Sequence, residues 1–472
     1  MAKVDIAQFG FLNKINRITY SNKLRITGKP VDGAHDCNWA KEHELFYHVR
    51  PKSKPFVKRV FLSEGRTPAG FVHLRPISDH SEVSECYLKP PKGMNSGNRC
   101  YVKCMRHYDT YGEAIDCVPF IMPESTCGMC AQGSTWICLK VLENLSKKSV
   151  KSRDIPYIQN MGAGRPFADR QGLSFVSIAR LFRMCDCNAF YTTNSSDNGG
   201  EGLSDDAMLD SIYSYVESGL PVVVGVEVAD LKWWENQSGY HSIVVIGHTM
   251  DDKSVDGFIV HDESVAPYLL ISMGDFKKAF HHPFDKDDSK KHPIREFVAA
   301  VPPQVELSHD IATIDMLLYK WILEERFPDE WDLGIWKKAM KPRSVLAFYD
   351  RLLDYIFKQS ERKIYSAGAL DLLLHTMTKF EFDKLHYYWA FFFYENIRDR
   401  MKGRESGFYL RDATGDPLLM QLIFSRKEKS IIVYSDPYFH RIFRESKTGK
   451  IIDEKKKIDS KAFKEILLNR IA

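Results

Sequence analysis

Between residues 98 and 304 the apolar residues change period once, near residue 220, and that change limits the fold. Residues 135–145 place Trp136, Leu139, Val141, Leu142 and Leu145 at helical spacing. A second amphipathic helix is expected over 174–184. A third is expected over 204–218, where Ser204-Asp205-Asp206 offers a cap followed by acid in the first turn. Four apolar runs of strand length follow, at 221–228, 241–248, 257–261 and 268–271. Helices before strands argue for an α+β fold with an antiparallel sheet.

The 472 residues are enough for two or three domains. Residues 1–97 hold Pro, Gly, Lys and short β-like runs such as Phe56-Val57-Lys58-Arg59-Val60-Phe61-Leu62. They are expected to form a mostly β N-terminal region, a permanent part of the protein because no helical pro-segment pattern is visible. Residues 98–304 carry the mixed pattern. Residues 305–472 are expected to be a largely helical C-terminal domain, with helices over 310–325, 345–357, 367–378 and 380–400. A β hairpin over 418–424 and 430–434 ends it. Within it, Tyr387-Tyr388-Trp389-Ala390-Phe391-Phe392-Phe393-Tyr394 is expected as a core helix packed on all sides. A partner-docking surface is the second reading of that run.

Composition narrows the function classes. A net charge of +4 on so long a chain does not suggest nucleic-acid binding. No apolar run reaches the roughly 18 residues of a membrane-spanning helix. The N-terminus has no apolar signal core, so the ten cysteines are expected as free thiols in a reducing compartment, the cytoplasm by default.

Three stretches carry the chemistry. Cys127-Gly128-Met129-Cys130 precedes small residues and then the helix at 135–145, which puts the Cys130 sulfur at the positive end of that helix. Cys127 is its competitor, in the turn. A redox or zinc Cys-x-x-Cys is the other reading, with Cys100 and Cys104, or Cys185 and Cys187, as further ligands. Gly239-Tyr240-His241 opens an apolar strand, where a histidine that serves as general base must stand at the mouth of a cleft. His248 and His261 are rivals. Asp262 ends the next strand, and a turn through 251–254 returns it beside His241, where it can accept from the imidazole and fix the tautomer. If Asp262 faces the cleft, His261 faces away, since neighbours on a strand point to opposite faces. At each of these positions plain packing or capping is the alternative.

The stretch from Cys127 to Ser134 is similar to the active-site stretch of the papain superfamily, in which the second cysteine is the nucleophile and a serine follows four residues later. The resemblance implies a papain-like core, a helical subdomain plus an antiparallel sheet, over about 118–282. It makes Cys130 the nucleophile, His241 the base and Asp262 the orienting group. Aspartate at the third place resembles the bacterial branch that trims bacteriocin leader peptides. So do Gly219-Leu220-Pro221 before the histidine strand and Ile271-Ser272-Met273-Gly274 after the aspartate. The glutamine that the family places six residues before the nucleophile is Glu124 here. A glutamate donates to an oxyanion only when protonated. Otherwise Ser125, Thr126 or Gln132 supplies the donor, or backbone amides serve alone. Of Trp233 and Trp234 in the loop before His241, one is expected to pack and the other, Trp234, to line the substrate groove.

These readings point to a cysteine peptidase acting on peptide or isopeptide bonds, with no metal and no organic cofactor. Its partner is a protein or peptide substrate, and the C-terminal domain offers a site for a second protein. A thiol deamidase or transglutaminase uses the same triad. A non-catalytic scaffold built on the same core is the alternative from a different class.

Overall fold

The computed structural model describes residues 10–35, 56–74, 83–94, 99–110, 113–122, 130–146, 173–194, 203–234, 237, 239–251, 254–281, 294–326, 342–362, 366–380, 387–394, 399, 402, 404–414, 421–425, 430–435, 438–445, 448 and 450–457. The chain divides into two compact units, residues 1–303 and 304–472. The N-terminal strands therefore belong to the same unit as the candidate triad.

In the first unit, helix α1 (Gly10–Ile18) precedes strands β1 (Leu24–His35), β2 (Phe56–Glu64), β3 (Thr67–Leu74) and β4 (Val83–Leu88). These pair in order and add the short β8 (Phe120–Ile121) to make a five-stranded antiparallel sheet. Between them lie β5 (Cys100–Val102) and a two-stranded ribbon, β6 (Arg106–Thr110) with β7 (Glu113–Cys117). The strands agree with the β content expected for the region. Helix α1 was not expected. It buries Phe11, Leu12 and Ile15 on one face, and Phe11 stacks on Phe120 at 6.1 Å between ring centres.

Helix α2 (Cys130–Ser146), α3 (Phe175–Met184), β9 (Asn188–Thr193) and α4 (Asp205–Glu217) follow. Ser174 and Ser204 cap α3 and α4, each accepting from the backbone amide three residues on, which satisfies a donor the helix start leaves open. The second sheet comprises β10 (Val222–Glu227), β11 (Tyr240–Met250), β12 (Val255–Asp262), β13 (Ala266–Ser272) and β14 (Glu296–Val301), with β9 and β5. Its order is β13-β12-β11-β10-β14-β9, and β5 pairs with β11. The four apolar runs become β10 to β13 because each is long enough for a strand and too short for a helix.

Helix α2 packs on β11, β10 and β14. Trp136, Ile137, Leu139, Val141 and Leu142 of the helix, and Val222, Val223, Val224, Ile243, Val245 and Val298 of the sheet, are each at most 2% exposed. Burying one such aliphatic or aromatic side chain stabilises by about 1.5–3 kcal/mol. This layer fixes where the first turn of α2 stands relative to the mouth of β11.

The second unit departs from expectation. Among its described residues it is not largely helical. Helices α5 (His309–Arg326), α6 (Tyr349–Glu361) and α7 (Ala367–Lys379) accompany a seven-stranded antiparallel sheet in simple sequential order, β15 (Arg343–Phe348) through β16 (Tyr387–Phe393), β17 (Gly407–Asp412), β18 (Gln421–Ser425), β19 (Ser430–Ser435), β20 (Tyr438–Arg444) and β21 (Ile451–Lys457). The aromatic run expected as a helix is the strand β16, paired with β15 and β17. An apolar run covered on both faces has no period to tell strand from helix, and bulky aromatics favour the strand. The helix expected over 345–357 likewise begins only at Tyr349, with its first residues in β15. The expected hairpin is present as β18 and β19 within this larger sheet.

Candidate active site

Cys130 is the first residue of α2, at the end where unpaired backbone amides carry positive partial charge. Its side chain is half-buried. His241 lies at the start of β11 and is 7% exposed. Gly239 leads into that strand at φ +144°, a conformation side chains resist, and its amide donates to Glu227 Oε1 at 2.8 Å. Tyr240 then lies across Gly225 of β10, and its hydroxyl donates to Glu296 at 3.1 Å. Two serines tie α2 to β11. The Ser134 hydroxyl lies 3.2 Å from the Ser242 hydroxyl and 3.4 Å from the Ser242 carbonyl oxygen.

The thiol of Cys130 is hydrogen-bonded to His241. On the other side, His241 Nε2 donates to Asp262 Oδ1 at 3.0 Å. That bond leaves Nδ1 as the nitrogen free to exchange a proton with sulfur. Asp262 is fully buried and accepts from four donors. Ser264 N–H reaches Oδ1 at 3.1 Å beside the imidazole, and the indole N–H groups of Trp233 and Trp234 both reach Oδ2 at 2.8 Å. Trp234 also meets the His241 ring edge to face, with centres 5.2 Å apart. Trp234, expected in the substrate groove, thus donates to the Asp262 carboxylate, and so does Trp233.

Electrostatics follow from these contacts. Burial alone raises the Cys130 thiol pKa. The hydrogen bond from His241, the imidazolium charge and hydrogen bonds from Ser242 outweigh it and bring the thiol down to about 7. Burial likewise opposes the imidazolium. The charges of Glu263 and Asp262 win, so His241 is held well above its ordinary value. Burial works against Asp262 ionisation too, but the His241 charge and the hydrogen bonds from His241 and the two indoles hold it below the usual carboxylate range. Six other described cysteines, Cys86, Cys100, Cys104, Cys117, Cys138 and Cys187, all shift the opposite way, each because burial disfavours its thiolate.

The rival residues stand elsewhere. His248 is buried against Glu217 and between Tyr101 and Tyr213. His261 packs edge-on to Phe120 and Tyr268, and burial pushes it down to about 3. Cys127, Glu124, Ser125 and Thr126 lie outside the described residues. Gln132 is buried, and its Oε1 has no partner among the described residues.

One group of the site escaped sequence reasoning. Glu263 is 1% exposed, and its Oε1 lies 3.6 Å from His241 Nε2. Burial raises its pKa well above the ordinary value despite the nearby imidazolium. Strand alternation would turn Glu263 away from Asp262. However, β12 ends at Asp262, and its register against β13 shifts between Val260 and Asp262. That irregularity lets both carboxyl groups face the imidazole. The thiols expected as alternative zinc ligands do not join Cys130. Among the described residues it is grouped with His241 and Glu263.

The arrangement presents a thiol with a lowered pKa, an imidazole beside it and a buried carboxylate on the far side of the ring, the groups that thiol acyl-transfer chemistry uses. No described helix is long and apolar enough to cross a membrane. No curated protein matches the chain. Residues 106–268, the segment that contains α2, β11 and β12, match the Peptidase_C39 like family, which is consistent with a papain-like cysteine peptidase resemblance confined to that segment.

Proposed function

We propose that the first unit is a papain-like cysteine peptidase that cleaves peptide or isopeptide bonds with Cys130, His241 and Asp262. The observation that carries this reading is the continuous hydrogen-bonded line from the half-buried sulfur through the imidazole to a carboxylate with four donors. The Cys130 thiolate attacks the carbonyl carbon, and the C=O electron pair moves onto oxygen. Backbone amides at the start of α2 stabilise that oxyanion. His241 gives its proton to the leaving amine as the C–N bond breaks, and a thioester remains. His241 then removes a proton from water, hydroxide displaces the sulfur, and the free acid departs. Asp262 stays ionised and keeps the ring in register. The match to the Peptidase_C39 like family supports hydrolysis over amine transfer. The acceptor remains a matter of water access to the thioester.

The test is intact-mass and peptide-level analysis of a cell lysate incubated with the protein and with Cys130→Ala. New peptide termini that require Cys130 support the reading. Termini that persist with the alanine variant exclude Cys130 as nucleophile. No termini with either protein, under conditions that leave the thiol reactive, favours the scaffold role.

A further inference from the structure

The geometry points to a divalent-cation site formed by Cys130, His241 and Glu263, suited to zinc or another borderline-soft metal, that switches the thiol off when filled. One ligand atom from each of the three residues lies within 4.8 Å of the others. A tetrahedral zinc with Zn–S near 2.3 Å and Zn–N and Zn–O near 2.0–2.2 Å sets its ligands roughly 3.3–3.6 Å apart. Side-chain torsions that bring the donors closer, by at most roughly 1.2–1.5 Å, close the site.

The donor set is what such an ion selects. It offers one thiolate, one imidazole and one carboxylate, with a fourth place toward the half-buried face of Cys130 for water. Glu263 is the independent sign. Its Oε1 accepts from the Ser264 hydroxyl at 3.0 Å, whereas Oε2 is buried with no partner among the described residues. A buried carboxyl oxygen without a partner is costly, and a cation satisfies it. Asp262 already plays the outer role that metal-bound histidines need. It accepts from Nε2 and leaves Nδ1 for an ion, toward which Glu263, whose Oε1 lies 3.6 Å from Nε2, must turn. The proposed peptide chemistry uses Cys130 and His241 but gives Glu263 no task. A metal bound here occupies the sulfur lone pair and the imidazole nitrogen that the chemistry needs. Cation binding stands on the geometry alone, and only its inhibitory consequence rests on the peptidase reading.

The test is titration of the reduced, metal-free full chain with Co²⁺. One equivalent is expected to give tetrahedral d–d absorption and a thiolate-to-cobalt charge-transfer band, both removed by Zn²⁺. Cys130→Ala should lose the charge-transfer band, and Glu263→Gln should bind at least about tenfold more weakly. Zn²⁺ should protect Cys130 from iodoacetamide. A charge-transfer band that survives in Cys130→Ala, unchanged affinity in Glu263→Gln, or no binding below millimolar Co²⁺ overturns the assignment. If Glu263→Gln fails to fold, infrared difference spectra of the unaltered protein with and without Zn²⁺ decide. A shift of a carboxyl stretch supports the ligand role, and its absence overturns it. A protein that binds Co²⁺ in this way but cleaves no peptide keeps this inference and loses the peptidase reading.

Discussion

Ser134 on α2 and Ser242 on β11 face each other with their hydroxyl oxygens 3.2 Å apart, fully out of solvent or nearly so. Ser242 is the neighbour of His241, and Ser134 is one helical turn from Cys130. The pair therefore ties the first turn of α2 to the mouth of β11, beside the sulfur and the imidazole. Ser134→Ala should cost about 1 kcal/mol in urea unfolding. It should also slow iodoacetamide alkylation of Cys130 by roughly two- to tenfold, the rate equivalent of one lost hydrogen bond. Alkylation at the wild-type rate would show that the core layer alone sets the approach.

The two indole donors on Asp262 give a second prediction. Trp233→Phe and Trp234→Phe each remove one charge-assisted bond at 2.8 Å while keeping an aromatic ring. Each loss lets the Asp262 carboxyl rise toward its ordinary range, weakens the imidazolium, and moves the thiol upward from about 7. Each substitution should destabilise by roughly 1.5–3 kcal/mol. The alkylation midpoint should shift to higher pH, more in the double variant than in either single one. An unmoved midpoint with lowered stability would reduce both tryptophans to packing.

Gly225 supplies a third. A Cβ there would lie 1.9 Å from the Tyr240 hydroxyl and 2.4 Å from its ring carbon, so the ring must swing away from Glu296. Gly225→Ala should destabilise by about 1–3 kcal/mol, as overpacking does. Because Tyr240 precedes His241, it should also lower Cys130 reactivity. Combining it with Tyr240→Ala, which makes room, should recover part of the stability. A double variant no more stable than Gly225→Ala would argue against the ring as the obstacle.

The site was legible in the sequence where residue type and element ends coincide. Cys130 heads a helix of strong period, His241 follows a glycine at the mouth of an apolar run, and Asp262 closes the next run. Glu263 was not legible, because alternation assigns it to the opposite face and only the register shift at the end of β12 reverses that. The joint hold of Trp233 and Trp234 on one carboxylate was equally hidden, since it depends on how loop 231–234 folds back. In the first unit the four strand-length runs read correctly because they alternate with turn residues. The second unit misled because Tyr387–Phe393 has apolar residues at every position, a pattern that carries no period. Its true partners, Arg343–Phe348 and Gly407–Asp412, are far away in the chain.

The central claim is that His241 holds Cys130 as thiolate. The most direct measurement is the pH dependence of Cys130 alkylation by iodoacetamide, read by peptide mapping in metal-free buffer, for wild type and His241→Gln. Thiolate is the reactive form, so the rate falls about tenfold per unit below the thiol pKa and levels off above it. The wild-type midpoint is expected near about 7, and the variant midpoint should move toward or beyond the ordinary value of 9.0, since burial then acts unopposed by the imidazolium. A single midpoint near 9 in both proteins would contradict the account.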